Sequence, residues 1–277
     1  MFRLPVSTKF IPKPPNAYYR YLWVSPAAAK KNPPLRSIQQ PVGHGQRTLY
    51  PKPSHGQAEE RLNFVSVRQM LATAGQEAKI QGLTGEEVQE AKGKVYERIV
   101  EFLEGEGYPT KTNKNYREVR VDDLVFTVLI PVISMFRRKT RRNLRLRREK
   151  SIIAIDGEPG RNQEFVMIDI VGVDNRKFVF FVESKKSSLR LGEARKQRLL
   201  AMKEMGEMNG GGVVYGFVTT GEEWQMLRFE GTLFTQTDNF VALFPEMAKD
   251  KQRWMEEGSI IVDCIHATLR SGGFVVE

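Results

Sequence analysis

Two apolar segments that carry charge where strands should carry Val, Ile or Phe constrain this chain most. They lie in residues 164–186, EFVMIDIVGVDNRKFVFFVESKK. The segment reads as two strands joined by a short polar turn, Asp174-Asn175-Arg176. Asp169 interrupts the first strand, and Glu183-Ser184-Lys185 closes the second. A carboxylate buried in mid-strand is costly without a partner. Two carboxylates and an ammonium converging on one hairpin can bind a hard cation and activate a water. Strand alternation sets the condition. Glu183 and Lys185 share a face. Asp169 joins them when it lies opposite Val179 or Phe181, which requires an odd-numbered loop such as residues 174–176.

The rest of the composition narrows the partners. The chain has 277 residues, 40% hydrophobic and 27% charged, enough to bury a full core in one or two domains. Its formal net charge of +10 favours a polyanion, most often nucleic acid. Cys264 is the single cysteine, so an internal disulfide and a multi-Cys zinc site are excluded, and a reducing, intracellular setting fits. The three histidines, His44, His55 and His266, show no ligand spacing. The start, MFRLPVSTKF, lacks the apolar core of a secretory signal. The longest apolar run, Leu124 to Phe136, is too short to span a bilayer and contains Pro131. No membrane partner is expected.

Residues 1–57 form a basic, Pro-rich arm without sustained periodicity, and are expected to be largely irregular. Within the arm, IPKPPNAYYRYLWVSPAAAKKNPP resembles the opening of a fungal mating-type HMG box over about one helix, which Ser25-Pro26 then breaks. Residues 58–277 read as one folded domain. A helix is expected over Gln57 to Ala74. Thr84-Gly85-Glu86-Glu87 is a capping box opening a second, with Val88, Ala91, Val95, Ile99 and Phe102 on one stripe. A third runs from Asp122 to about Lys139, with a break or kink expected at Pro131. Strands are expected over Ser151 to Asp156, Phe165 to Val173, Lys177 to Glu183 and Val213 to Thr219. A helix from Leu189 to Met208 precedes the last of these. Trp224 to Phe229 and Gly231 to Thr235 read as a hairpin. Pro245 opens a helix to about Met255, and a last helix runs from Ser259 to Gly272. The strand–helix–strand step from Lys177 to Thr219 implies a parallel pair with a right-handed crossover.

Between helix and strands lies FRRKTRRNLRLRREK, in which only Glu149 opposes the cations. Arg137, Arg138, Lys139, Arg141, Arg142, Arg145, Arg147 and Arg148, with Lys186 further on, are candidates for tracking a phosphate backbone. The tract also fits a nuclear address, or simply a solvated basic loop.

Over residues 84–220, helix, three strands, helix and strand is an order similar to the core of the PD-(D/E)XK nuclease superfamily, and the whole sequence also resembles a fungal family of proteins carrying that core. The superfamily places an acid on the second core strand and (D/E)-x-K on the third. Asp169 and Glu183-Ser184-Lys185 match that pattern, with Ile168 where the name-giving Pro would stand. The resemblance implies an α/β fold, a mixed central sheet flanked by helices with extra terminal helices. It also implies a Mg2+ (or Mn2+) ion held by Asp169, Glu183 and the backbone carbonyl of Ser184. Lys185 would position or deprotonate the attacking water. Gln197, on the following helix beside Arg198, would support the site. Glu97 and Glu101 on the first core helix are further metal ligands in some members, and Asp156 is an alternative first carboxylate. The expected function is metal-dependent hydrolysis of nucleic acid, DNA favoured over RNA, in a nuclear protein. The alternative is an inactive nucleic-acid-binding or nuclear interaction protein that keeps the fold.

Overall fold

The computed structural model describes residues 62–108, 118–151, 162–171, 175–184 and 193–275. The side chains of 118–119, 149–151, 162–164 and 193–197 lie outside that description. The chain divides into units 1–50 and 51–277, and every described residue belongs to the second. The basic arm and its HMG-like segment lie outside the described residues.

The domain is α/β. Strand β1 (Leu62–Val65) is followed by helices α1 (Val67–Gln76), α2 (Gly85–Glu106) and α3 (Glu118–Thr140). Three strands follow, β2 (Leu144–Ser151), β3 (Asn162–Ile170) and β4 (Arg176–Ser184). Helix α4 (Glu193–Met208) leads to β5 (Val214–Thr219), β6 (Glu223–Glu230), β7 (Leu233–Thr237) and β8 (Phe240–Val241). A 3-10 turn, Met247–Lys249, and a π turn, Trp254–Gly258, flank a three-residue α-helical stretch, Lys251–Arg253, before helix α5 (Ile260–Ser271). The mixed sheet has eight strands in the order β1-β7-β6-β5-β4-β3-β2, with β8 beside β6. Strand β3 is antiparallel to both β2 and β4, and β4 and β5 are parallel, joined through α4.

Local chemistry explains several boundaries. Ser66 caps α1 and exchanges bonds with Gln69, so the helix expected from Gln57 begins at Val67 and Leu62–Val65 pairs with β7 instead. The α2 capping box forms as expected: Thr84 Oγ1 accepts from Glu87 N and Glu87 Oε2 accepts from Thr84 N at 2.8 Å. Those bonds, with Lys139 at 2.9 Å, lower the Glu87 pKa. Helix α3 continues through Pro131 rather than breaking there. The strand expected from Ser151 starts earlier: the basic tract itself forms β2, which lies at the end of the sheet order, and residues 152–156 lie outside the described residues. The continuous helix expected after Pro245 is divided among the short turns before α5.

Each face of the sheet covers a separate core. On one side, α1, α2, α3 and α5 pack with Phe165, Met167, Val179, Phe180, Val182 and Phe217. Here Phe180, Phe217 and Trp224 meet edge to face. On the other, α4 packs with Val166, Ile168, Phe178, Phe181 and Val218. We call these the α5 face and the α4 face.

Candidate active site and basic edge

The hairpin loop meets the parity condition. Ile170 pairs with Arg176, Val171 N donates to Asn175 O at 3.0 Å, and Asp169 lies opposite Lys177. The expected three-residue loop over 174–176 is therefore shifted, because Asn175 and Arg176 already pair. Asp169 nevertheless does not share a face with Glu183. The ladder skips one residue: Met167 faces Phe180, but Ile168 faces Phe178. Val179 is the extra residue, a β-bulge, and both Val179 and Phe180 face the α5 side. Alternation changes phase there. Lys177 and Asp169 fall on the α5 face, whereas Phe181 and Glu183 fall on the α4 face.

The bulge is secured on both sides. Asn209, buried after α4, accepts from Phe178 N and donates to Phe178 O, each at 2.7 Å, so the strand's displaced amide and carbonyl are paired. Gly272 lies so close that a Cβ there would meet Val179 O at 2.7 Å.

The partners confirm the division. Arg142 Nε and Nη2 both donate to Asp169 Oδ2, at 3.0 and 2.7 Å, and Nη1 donates to Leu269 O at the end of α5. The Arg142 and Asp169 side chains are each 9% exposed. The charge that looked misplaced in the sequence is half of a buried ion pair fastening β3 to α5. Glu183 instead meets Arg198 of α4, Oε2 to Nε 3.3 Å. Glu183 lies six positions along β4 from Lys177, the Asp169 partner, ~20 Å at strand rise. The expected triad of Asp169, Glu183 and Lys185 is therefore not assembled, and Asp169 is corrected from metal ligand to structural anion.

Ser184 is buried on the α5 face, where its hydroxyl donates to Asp122 Oδ1 of α3. Lys185 and Lys186 follow directly after β4 and lie outside the described residues, as do Asp156 and the side chain of Gln197. Arg198, at the middle of α4's inward face, is the helix residue that reaches Glu183; its central place on the apolar face was visible in the sequence. Glu97 and Glu101 stay on the α2 surface with Lys251 and Arg98, so they are not brought to Glu183.

The donor set Asp169, Glu183 and Ser184 carbonyl does not fit one divalent ion, since its two carboxylates face opposite ways. Among the described residues, no group of three or more His, Cys, Asp or Glu side chains could hold a metal. One acid went unweighed in the sequence. Continuing the β3–β4 register one step beyond Phe165 and Val182 sets the backbone position of Glu164 across from Glu183. The signal was the hairpin itself: residues near the start of the first strand face those near the end of the second.

The basic tract is also sorted by the fold rather than left as a loop. Arg137, Arg138 and Lys139 end α3, with Lys139 bound to Glu87. Arg142 is buried. Arg148 lies over the Phe126 ring at 4.4 Å and reaches Asp123 at 3.2 Å. Arg138, Arg141, Arg145 and Arg147 are exposed. A groove of about 340 Å³ between α2 and α3 has lining of both signs, including Glu87, Glu90, Lys94 and Arg138.

None of the described helices is long and apolar enough to cross a membrane. No family model, curated protein or solved structure matches the chain.

Proposed function

We propose that this chain is a divalent-metal-dependent nuclease with a restriction-endonuclease-like core, its site at the end of β4 on the α4 face. The facing register positions of two acids, Glu164 and Glu183, carry the reading, with Lys185 two residues further on. The order helix, three antiparallel strands, helix, parallel strand supports it.

Facing positions on neighbouring antiparallel strands stand about 5 Å apart. Two carboxylates there suit a hard cation such as Mg2+ or Mn2+, completed by waters and substrate phosphate. When bound, such an ion polarises the scissile phosphate and lowers the pKa of a coordinated water. Lys185 orients that water or offsets charge on the phosphoryl oxygens. Arg198 holds the Glu183 carboxylate in position.

The test is cleavage of labelled DNA and RNA with Mg2+ or Mn2+. Glu183→Gln, Glu164→Gln and Lys185→Ala are each expected to abolish cleavage in folded protein, while Asp169→Asn keeps it. Loss with Asp169→Asn and retention with Glu164→Gln would sink the site assignment. A second reading is a non-catalytic nucleic-acid-binding protein. It is favoured by the ion pair Arg198–Glu183, which already neutralises the carboxylate. Binding with no cleavage under any divalent ion selects it.

A further inference from the structure

Strand alternation divides the basic tract into an internal and an external set. On β2, Leu144 and Leu146 turn to the α5 face, where Leu144 is fully buried. Arg145 and Arg147 face the other way, opposite Ile168 and Val166 of the α4 face. They therefore stand on the same side of the sheet as Glu183. Arg142 and Arg148 are held by Asp169 and by Asp123 with Phe126. Arg141, Arg145 and Arg147 are exposed and have no ion pair among the described residues.

Arg141 adds an independent observation. It closes α3, its N–H donating to Arg137 O at 2.9 Å, with φ at +61°. Glycine is the residue that takes this left-handed position without steric cost. An exposed arginine held there gives up conformational stability, which makes sense if its charge is used.

We propose that Arg141, Arg145 and Arg147 form a contact line for the phosphate backbone of nucleic acid along the β2 end of the sheet, Arg145 and Arg147 standing on the Glu183 side. Guanidinium forks match phosphate oxygens, and the strand sets Arg145 and Arg147 about 7 Å apart at alternate positions. The inference rests on the reading that the chain acts on nucleic acid, but not on catalysis. Charged edge strands also prevent edge-to-edge aggregation, so the experiment must separate the two roles.

The measurement is anisotropy of a fluorescent duplex oligonucleotide at several salt concentrations in EDTA, where cleavage is silent. R145Q/R147Q is expected to weaken binding at least tenfold and to lower the log–log salt slope by about 2, at 0.9 per lost phosphate contact. R141G is expected to weaken binding several-fold while melting at the same or higher temperature. R148Q, whose charge is already engaged, is expected to change affinity less than twofold. Unchanged duplex binding by R145Q/R147Q overturns the proposal, and aggregation with unchanged binding assigns the arginines to edge protection. Equal wild-type affinity for anionic vesicles, or no duplex binding at all, also overturns it. Duplex binding in EDTA without metal-dependent cleavage rejects the nuclease reading and leaves this one standing.

Discussion

The two faces of the sheet carry the same kind of contact and use it differently. On the α5 face, Arg142 gives two hydrogen bonds to one oxygen of Asp169 and a third to a helix carbonyl. On the α4 face, Arg198 meets Glu183 at 3.3 Å, near the open end of the hairpin. The first pair joins the turn end of β3 to the last turn of α5. The second lies next to the acid-and-lysine terminus of β4. A buried arginine–carboxylate pair is therefore not by itself the mark of a reactive site. Its position along the strand, and what lies across the ladder, decide its use.

The largest expected effect tests the structural side. Arg142→Ala leaves Asp169 buried without its cation and should cost about 3–5 kcal/mol, seen as a lowered denaturation midpoint. A loss below ~1 kcal/mol would mean that the pair contributes little. Asn209→Ala comes next. It unpairs a buried amide and a buried carbonyl at the bulge, for about 2–4 kcal/mol. Preserved Glu183-dependent activity in the surviving folded protein would show that the bulge holds without its clamp.

pH provides a further probe of the α5 face. His266 accepts a hydrogen bond from Leu83 N at 2.9 Å, and burial, with Arg270 nearby, lowers its pKa to about 4. The unfolded chain takes up this proton near pH 6.5 and the folded chain near 4, so protonation favours unfolding. His266 should make stability fall as pH drops from about 6.5 to 4, and His266→Gln should flatten that part of the pH–stability curve. An unchanged slope would remove His266 as its source.

The smallest effect on stability and the largest on function are expected from Glu183→Gln. It retains an acceptor for Arg198 and should shift stability by about 1 kcal/mol, yet abolish cleavage. Asp169→Asn, which likewise retains an acceptor for Arg142, should keep cleavage.

Much of this arrangement was legible in the chain. Thr84 to Glu87 announced a helix start, the strand–helix–strand step announced a parallel pair, and Asp169 in an apolar strand announced a buried partner. The kind of partner was not legible. A carboxylate in a strand reads the same whether an ion or an arginine meets it, and Arg142 sits in a tract whose density suggests solvent. The bulge was hidden for a different reason. RKFVFFVES is apolar on both faces, so its hydrophobic pattern carries no period from which a phase change could be read. No glycine or proline marks Val179. What fixes the bulge is remote in sequence, in Asn209 and Gly272. The basic tract escaped as a strand because Leu144 and Leu146 are sparse signals among arginines.

The bulge makes the domain unequally tolerant of changes in length. A residue pair added to or removed from the loop at 171–175 preserves which side chains look inward. Losing Val179 alone would straighten β4: Phe178 and Phe180 would become neighbours on opposite faces, and their pairings with Ile168 and Met167 would survive. A second residue added beside Val179 has no such outlet and would turn one flank over, parting Asp169 from Arg142 or Glu183 from α4. The hairpin can thus lose a residue at its bulge more easily than it can gain one.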